Sequence, residues 1–452
     1  MNILVIGSGG REHAIIHGLR ANPAVETIWA LPGNGGIALD ATCAPITATD
    51  LDAVVEFAAG HPVDLAVVTP DDPLCLGLVD RLTEIGVHAF GPTAAAARIE
   101  GSKAFAKDLM RQHGIPTAAY EVFDDAEAAL EAVRTASLPV VIKADGLALG
   151  KGVTVASTRV DAEQAIRAAM VDRRFGSAGA RVVIEEFMPG VEASLMLLTD
   201  GVTYKLMPSA MDHKRALSDD LGPNTGGMGA IAPHPLMRPE VTRQVEHQIV
   251  VPILDALREA GCPFKGCLYV GLMLVPNGPD LVATPKVVEF NCRFGDPEAQ
   301  AVLALLESDL LTALEAVVDG TLASTPVEFR DGAACCVVLA SGGYPGVIRT
   351  GLPVTGWQDV TAELDFAGVV NVQGGLATSG GRVVGVTATA PTLEAAIESA
   401  YASAQRVHFD GVYMRDDIGR KALQEAAQPS LRLMGDPEEP ARINVELGDE
   451  RR

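Results

Sequence analysis

The chain has 452 residues, enough for about three domains. Its 35 basic and 58 acidic residues give a formal charge of −23, which argues against a nucleic-acid-binding surface. With 48% hydrophobic residues it can bury a large core, and no apolar run approaches the ~20 residues that span a bilayer. No basic segment precedes the first apolar run, and the 7 cysteines form no C-x-x-C pair. We therefore expect a cytoplasmic protein without a secretory signal, a disulfide framework or a zinc site.

Strands alternate with helices through the first hundred residues. Apolar runs predict strands at residues 3–6, 27–31, 65–68 and 87–90, and helical spacing predicts a helix at 11–19. This alternation indicates a parallel sheet with helices on its faces. Glycine and proline clusters follow the strands, at the edge where such sheets bind ligands.

The rest of the chain divides into a mixed part and a β-rich part. Helices are predicted at residues 103–112, 124–136, 161–170 and 240–260, the first capped by Ser102. Strands are predicted at residues 139–143, 153–156, 181–187, 194–198, 204–207, 268–275 and 286–291. A long polar, glycine-rich loop is expected at 212–235. Short strands with one helix near 392–404 are expected after residue 327.

The first candidate site is the run GSGGRE at residues 7–12, directly after the first strand. Glycines there let a helix N-terminus approach a phosphate closely. The dinucleotide fingerprint G-x-G-x-x-G is incomplete, because Glu12 stands at its third glycine and no acid follows the second strand. A dehydrogenase is therefore disfavoured. A tight turn and a loop that holds a small phosphorylated ligand beside Arg11 both fit the run.

The second candidate is KADGLALGKG at residues 143–152, between two predicted strands. Its glycine spacing is one residue short of a P-loop, and a P-loop leads into a helix rather than a strand. Lys143 and Lys151 frame the loop, and two ammonium groups would offset the charge of a triphosphate. A solvated turn is the alternative, but the paired lysines favour a loop that covers ATP.

The third candidate is KVVEFNCRFGDPE at residues 286–298. Alternate residues of a strand share a face, so Glu289 and Asn291 are expected to point the same way. Their apolar neighbours are expected in a core: Val288, Phe290 and Cys292. A carboxylate and an amide oxygen suit Mg²⁺, and Arg293 beside them is suited to clamp a phosphate or acyl oxygen. A half-buried ion pair is the alternative, although polar groups in a central strand are costly without a role.

The fourth candidate joins DHKR at residues 212–215 to the glycine-rich GPNTGGMG at 222–229. A compact charged run beside such a loop fits substrate binding. A solvated face is the alternative, and His213 need not be a catalytic base.

The fifth candidate is EEFMPGVE at residues 185–192, which leaves one predicted strand and enters another. Backbone groups in such a hinge can bind an adenine edge, with Glu192 on the ribose hydroxyls. An interdomain linker fits these residues nearly as well.

Together these runs resemble the phosphoribosylamine–glycine ligase family of the ATP-grasp superfamily. The resemblance covers residues 1–421 and rests on GSGGREHA, GPTAAAARIEGSKAFAKDLM, IKADGLALGKGV, IEEFMPGVEAS, DHKRALSDDLGPNTGGMGA, EFNCRFGDPEAQ and LASGGYPG, in that order. It implies an α/β fold with a Rossmann-like N-terminal parallel sheet domain at residues 1–101. An ATP-grasp fold of two α+β subdomains follows at 102–326, with 122–190 as its lid, and a small β-rich domain at 327–424. Residues 425–452 lie outside the resemblance and are expected to form a flexible tail.

The resemblance also implies the residues of the site. The ATP-binding positions are Lys103, Lys143, Lys151, Glu185, Phe187 and Glu192. The metal positions, for Mg²⁺ or Mn²⁺, are Glu289 and Asn291. The substrate contacts are Gly9, Gly10, Arg11, Asp212, Lys214, Arg293, Gly295 and Glu298. Arg293, Lys143 and Lys151 are expected to act in catalysis by stabilising charge.

The sequence departs from the family pattern at three positions. Asp71 stands where members carry a glutamate one methylene longer, so a contact there would be rearranged. Met211 replaces a glutamine and removes one amide group. Gly36 stands for an alanine, which we expect to be a minor change.

The activity implied is an ATP-dependent ligation in de novo purine biosynthesis. Glycine carboxylate attacks the γ-phosphorus of ATP, and the amine of 5-phosphoribosylamine then attacks the acyl carbon of glycyl phosphate. The protein must position its small-molecule substrates, neutralise phosphate charge and exclude water, with residues 146–152 closing as a lid. A monomer or weak homo-oligomer is expected. Another ATP-grasp carboxylate–amine ligase would keep the lysines and Glu289-x-Asn291, whereas a regulatory nucleotide-binding protein would have lost the metal ligands.

Overall fold

The structure is a computed structural model that describes residues 1–148, 151–276 and 283–427. In its N-terminal part, strands and helices alternate as predicted. The elements are β1 (Asn2–Gly7), α1 (Gly10–Arg20), β2 (Thr27–Pro32), β3 (Thr42–Cys43), α2 (Leu51–Gly60), β4 (Leu65–Val68), α3 (Asp71–Cys75), α4 (Leu78–Glu84), β5 (His88–Phe90) and α5 (Ala94–Gly101). The strands form one parallel sheet in the order β3-β2-β1-β4-β5. β1 is central and its residues 3–6 are fully buried, as expected of a strand covered on both faces.

The middle of the described chain builds two four-stranded antiparallel sheets and a two-stranded one, β13-β14. Its first elements are α6 (Lys103–Gln112), β6 (Tyr120–Phe123), α7 (Ala126–Thr135), β7 (Val140–Ala144), β8 (Val153–Ala156), α8 (Arg159–Ile166) and β9 (Val182–Glu186). The order β6-β9-β7-β8 forms a sheet that we call the lid sheet. α6 begins and ends as predicted, because the Ser102 hydroxyl accepts a hydrogen bond from the Phe105 N–H.

The second antiparallel sheet carries the third candidate motif. The chain continues with β10 (Val191–Asp200), β11 (Tyr204–Leu206), β12 (Met211–Asp212), β13 (Arg215–Leu217), β14 (Leu221–Asn224), β15 (Gly229–Ala232), α9 (Pro239–Val245), α10 (Val251–Glu259), β16 (Lys265–Val275), β17 (Thr284–Asn291), α11 (Glu298–Leu303) and α12 (Leu310–Asp319). Its strand order is β11-β10-β16-β17. A π-helical turn at Glu246–Val250 joins α9 to α10, so the helix predicted at 240–260 is continuous.

The expected loop at residues 212–235 is wrong in part, because it contains four short strands, β12 to β15. β15 is fully buried and pairs with a strand near residue 335. β15 begins at the last glycine of a glycine-rich run, so its sequence looks like part of the loop, and its pairing with the distant strand defines it.

The C-terminal part is β-rich, as expected. Its elements are β18 (Ala333–Ser341), β19 (Pro353–Val354), β20 (Glu363–Phe366), β21 (Val369–Val372), β22 (Gly375–Thr378), β23 (Arg382–Ala390), α13 (Leu393–Ala404), β24 (Val412–Tyr413) and α14 (Arg420–Ala427). A six-stranded sheet has the order β12-β15-β18-β23-β20, with β24 on β18, and α13 packs on it. This sheet therefore takes strands from both sides of residue 326.

The remaining predictions concern membrane-spanning helices and the C-terminal tail. Of the helices in the described ranges, none is long and apolar enough to cross a membrane. From residue 428 onward the predicted tail lies outside the described residues, as does Gly150 of the predicted lid loop.

Gly36 lies where the N-terminal sheet meets β20. A Cβ placed on it would lie 2.1 Å from the Cβ of Phe366, although its backbone is in the ordinary right-handed region. The reason for glycine is therefore close approach rather than backbone conformation. The glycine in place of alanine at residue 36 therefore matters for packing, and the expectation of a minor change is wrong.

We predict that Gly36→Ala lowers the free energy of unfolding by about 1–3 kcal/mol, because the methyl group overpacks this contact. Gly60→Ala is the matched control, because no atom lies within 4 Å of its added Cβ. It should leave stability unchanged or raise it by about 0.5 kcal/mol. Urea denaturation of the two variants and the parent measures both changes. Equal midpoints for the two variants would contradict the contact.

Candidate functional site

A pocket opens on the β10–β16–β17 face, where charged side chains from several strands converge. Its polar lining comprises Glu192, Ser194, Asp212, Lys214, Tyr269 and Glu289. Two of the sequence motifs, DHKR and KVVEFNCRFGDPE, therefore meet at this pocket, together with the end of the EEFMPGVE motif.

A β-bulge in β17 shapes the pocket wall. Gly271 of β16 is paired with Glu289 and Leu272 with Val287, which leaves Val288 as the extra residue. Val288 therefore lines the pocket, so its predicted place in the core is wrong, whereas Phe290 and Cys292 are buried as expected. The bulge turns the carbonyl of Val288 toward the Lys143 ammonium, which donates to it at 3.0 Å.

A buried ion triad connects α6 with the lid sheet. Glu185 on β9 is 2% exposed, with Lys143 Nζ 3.0 Å from its Oε1 and Lys107 Nζ 3.0 Å from its Oε2. Burial lowers the pKa of Lys107 to about 8, against the opposing charge of Glu185. The sequence interpretation missed Lys107. Its position one helical turn after Lys103, on the same face of α6, was the available signal.

The carboxylate of Glu289 is held in its ionised form. Burial would raise its pKa, but the nearby charges of Lys214, Lys143, Lys103 and Arg293 outweigh this and lower it. Burial lowers the pKa of Lys103, whose ammonium donates to the carbonyl of Gly146 at 3.1 Å. A cluster of cations thus surrounds one carboxylate, which is an environment suited to polyanionic ligands.

Glu100 fixes the end of β17, and it too was missed. It is 6% exposed, and its Oε1 accepts from Asn291 Nδ2 at 3.0 Å and from the Arg293 guanidinium at 3.1 Å. Its Oε2 accepts from the backbone N–H of Cys292 at 2.7 Å. Because the NH₂ group of Asn291 is engaged in this way, its amide oxygen is left free to accept or ligate.

The N-terminal glycine run contacts the loop after β17. The guanidinium groups of Arg11 and Arg293 both donate to the carbonyl of Phe294, each at 3.2 Å. Glu12 holds the turn, since its carboxylate accepts from the Gly9 N–H and from Arg11 Nε, both at 2.6 Å. Glu12 thus caps α1 at the position where a dinucleotide fingerprint would carry glycine.

Arg382 on β23 joins two of the candidate loops and was not predicted. Its guanidinium donates to the Gly226 carbonyl at 2.7 Å and to Asp296 Oδ2 at 2.7 Å. Next to it, Gly227 has φ +110° and its Cβ would lie 2.7 Å from Asp212 Oδ1. Only glycine permits this approach.

The acidic wall of the pocket contains an unpartnered oxygen. Asp212 Oδ1 is buried and receives no hydrogen bond within the described part of the chain. Burial, with the neighbouring charge of Glu298, raises the pKa of Asp212 well above its usual value. Glu298 accepts from the Tyr269 hydroxyl at 2.8 Å, and its carboxylate fills the space that a Cβ on Gly295 would need. Asp212 is therefore placed to accept a hydrogen bond from a ligand.

Some of the predicted site residues do not converge on the pocket. Lys151 is exposed, and within the described ranges its side chain makes no hydrogen bond or ion pair. Phe187 is 40% exposed. Glu192, in contrast, lines the pocket, with the ammonium of Lys214 2.6 Å from its Oε2. Gly10 packs against Gln300 and β20.

Comparison with known families agrees with this arrangement. Three models of phosphoribosylglycinamide synthetase match the chain: the N domain at residues 1–100, the ATP-grasp (A) domain at 101–299 and the C domain at 334–421. The chain belongs to this family. The resemblance seen in the motifs, the predicted fold class and the predicted enzyme class, an ATP-grasp ligase, are confirmed.

Relatives match over nearly their full length. The phosphoribosylamine–glycine ligase of Chlorobaculum tepidum is 47% identical over 436 residues, 94% of this chain and 100% of the relative. The ligase of Vibrio vulnificus is 44% identical over 433 residues, 95% of this chain and 100% of the relative.

Solved structures extend the comparison to the fold. The phosphoribosylamine–glycine ligase of Thermotoga maritima has a TM-score of 0.81 at 34% identity, covering 92% of this chain and 100% of that one. A biotin carboxylase from Campylobacter jejuni has a TM-score of 0.72 at 12% identity, covering 95% of each chain, and shares the fold alone.

His213 in the family's DHK run is a structural group rather than an acid or base in the pocket. Its Nε2 accepts from the Gly419 N–H at 3.1 Å, and its Nδ1 lies 3.3 Å from the Gly229 carbonyl. Burial lowers its pKa to about 4. It is therefore neutral at physiological pH and fastens the DHK run to the C-terminal sheet.

This burial predicts an acid-dependent loss of stability. Between pH 6.5 and about 4 the unfolded chain protonates His213 and the folded chain does not, so the free energy of unfolding falls as the pH falls. The contribution is on the order of 3 kcal/mol over this range. In His213→Gln the slope of the free energy of unfolding against pH should be smaller by the contribution of one proton. The control His247→Gln, at an exposed histidine without an ion-pair partner among the described residues, should keep the parent slope. Parallel slopes for all three proteins in urea unfolding from pH 4 to 7 would refute the assignment.

Proposed function

We propose that this chain joins glycine to 5-phosphoribosylamine with consumption of ATP, giving glycinamide ribonucleotide, ADP and phosphate in de novo purine biosynthesis. The observation that carries the proposal is the meeting of the lid sheet with β17. Lys143 of the lid sheet touches the strand that holds Glu289 and Asn291, so one triphosphate can contact all three. The full-length match to ligases of this name supports the choice of substrates.

ATP would lie between the lid sheet and the β10–β16–β17 face. In this proposal its phosphates face the ammonium groups of Lys103, Lys143 and Lys151, and its base and ribose face the hinge. The hinge positions are Glu185, Phe187 and Glu192. Lys107 shares the Glu185 carboxylate with Lys143, so it would orient the catalytic ammonium without touching the nucleotide.

A divalent cation fits at Glu289 and Asn291. The lowered pKa of Glu289 keeps its carboxylate ionised, and Glu100 leaves the amide oxygen of Asn291 free. Two protein oxygens suit Mg²⁺ or Mn²⁺, which take further ligands from phosphates and water. When held by Glu289 and Asn291, the cation would offset the negative charge of the phosphates.

The two remaining substrates would lie toward the N-terminal turn. Arg11 and Arg293 converge on the Phe294 carbonyl, so the turn at Gly9 and Gly10 and the loop at Gly295 form one candidate phosphate and amine site. Asp212, Lys214 and Glu298 would contribute polar contacts from the acidic wall.

The reaction then needs positioning and charge rather than a side-chain nucleophile. A glycine carboxylate oxygen attacks the γ-phosphorus, the bond to the β-phosphate oxygen breaks, and glycyl phosphate and ADP result. The amine nitrogen of phosphoribosylamine attacks the acyl carbon, and phosphate leaves. Lys143, Lys151 and Arg293 stabilise the oxyanions of both steps.

The division into domains at residues 1–101, 102–326 with the lid at 122–190, and 327–424 stays a prediction. So do the cytoplasmic location and the monomeric or weakly oligomeric state. The seven free cysteines fit a reducing compartment.

The proposal is tested by ADP release with ATP and Mg²⁺, varying the acid and the amine. Release should require glycine and should rise strongly when freshly made phosphoribosylamine is added, with glycinamide ribonucleotide found by mass spectrometry. Turnover with a different amine and none with phosphoribosylamine would instead indicate another ATP-grasp carboxylate–amine ligase.

The metal assignment predicts that Glu289→Ala lowers glycine-dependent ADP formation about 100-fold or more. The variant would lose a ligand of the cation that offsets the charge of the phosphates. Its circular dichroism spectrum should match the parent, since Glu289 lines a pocket rather than the core. Glu398→Ala, a carboxylate removal on an exposed face of α13, is the matched control and should retain full activity. Full activity in the Glu289 variant would refute the assignment.

A further inference from the structure

A second cluster of titratable groups lies where α1 meets β20, and none of its members lines the pocket. α1 contributes His13 and His17, the segment after the turn at Ile37–Leu39 contributes Asp40, and β20 contributes Glu363 and Asp365. Glu363 and Asp365 are two residues apart on a strand, so they share a face.

Hydrogen bonds assign the ring nitrogens of this cluster. His13 Nδ1 accepts from the Phe366 N–H at 2.9 Å, so in the neutral ring its proton is on Nε2, which donates to Asp40 Oδ2 at 3.1 Å. The same Asp40 oxygen lies 3.5 Å from His17 Nε2. Asp40 therefore orients the ring of His17 through Nε2 and leaves Nδ1 for another partner.

His17 Nδ1 faces two carboxylate oxygens. It lies 3.3 Å from Glu363 Oε1 and 3.3 Å from Asp365 Oδ1. Asp365 is 0% exposed, and its Oδ1 receives no hydrogen bond within the described part of the chain, although Thr387 donates to its Oδ2 at 3.3 Å. A fully buried carboxylate oxygen that accepts no hydrogen bond there thus lies within ion-pair distance of His17 Nδ1.

The acidic side chains of the cluster outnumber the charged basic side chains that face them. Three carboxylates are faced by His17 and, at Asp40, by the partly exposed Arg20. A proton on His17 Nδ1 would bring one positive charge to this point, whereas a divalent cation brings two.

We propose that His17 Nδ1, Glu363 Oε1 and Asp365 Oδ1 bind a divalent cation of the zinc class. Ligands 2.0–2.2 Å from a tetrahedral zinc lie about 3.4 Å from one another, close to the separations of His17 Nδ1 from both oxygens. An imidazole nitrogen in the set favours zinc over Mg²⁺ or Ca²⁺. Asp40 serves as the carboxylate that orients the histidine, and water takes the fourth position on the exposed side of Glu363. The proton on Nδ1 leaves to solvent when the cation binds.

The cation site would stabilise the position of α1, the helix that follows the proposed substrate-binding turn at Gly9 and Gly10. α1 begins at Gly10 and Arg11, and His17 lies two turns further along the same helix. A cation at His17 would tie that helix to a strand more than three hundred residues away. No zinc site was expected from the sequence, because the cysteines form no C-x-x-C pair. That spacing carries no information about a site built from histidine and carboxylates.

The test measures Zn²⁺ affinity on the full chain by competition with a chelating dye, with excess Mg²⁺ present to occupy the proposed catalytic position. The parent should bind one Zn²⁺ per chain, and His17→Gln should lose affinity at least tenfold. His247→Gln, an exposed histidine on another helix, is the matched control and should bind as the parent does. Co²⁺ in place of Zn²⁺ should give the intense visible bands of a tetrahedral site in the parent and the control only.

Glu363→Gln is the second variant, since Glu363 lies at the edge of the cluster and its loss spares the core. It should also lose affinity at least tenfold. Equal Zn²⁺ affinity in the parent, His17→Gln and Glu363→Gln, or no bound Zn²⁺ in the parent, would overturn the proposal and leave His17 as a protonated ion-pair partner.

Discussion

The contact on which the site depends is the ammonium of Lys143 between Glu185 and the carbonyl of Val288. It is a buried point at which the lid sheet touches β17, with 3.0 Å to each partner. Removing a charge of this kind from water costs several kcal/mol, so it is a poor source of stability. Its value is geometric, because a buried ammonium with two fixed acceptors has one position. The lid sheet therefore meets the acid–amide pair in a defined register.

The same design recurs around the pocket. Glu100 accepts three hydrogen bonds and fixes the end of β17, and Arg382 donates to two loops that are far apart in sequence. Glu100 is a buried charge and Arg382 a partly buried one, and the partners of both are loops or strand ends rather than regular structure. Preorganised groups of this kind do not have to reorganise when charge develops on a substrate. The pocket is thus held by polar contacts at its edges while the apolar cores lie behind it.

The sequence predicted what local pattern determines. α6, β4 and β8 begin and end at the predicted residues, because caps and short apolar runs mark them. Pairing between distant segments was not predictable in this way. β15 begins in a glycine-rich run and is defined by its pairing with β18, and the bulge at Val288 depends on the pairing of β17 with β16. Glu100 and Arg382 act through partners that no spacing indicates. Four of the site residues predicted from the motifs that resemble a family line the pocket: Glu192, Asp212, Lys214 and Glu289. Lys151 and Phe187, which are exposed, are the predicted positions least engaged in the pocket.

The N-terminal turn also derives its shape from the C-terminal part. Asn34 donates to the carbonyl of Ser8 at 2.9 Å and to that of Phe366 at 2.8 Å, and Gly36 admits the Phe366 side chain. His13 accepts from the backbone of the same residue. Because these contacts join the glycine turn to β20, a change in the C-terminal sheet would move the turn without touching it. The C-terminal sheet therefore supports the turn at Gly9, Gly10 and Arg11 through contacts with Phe366.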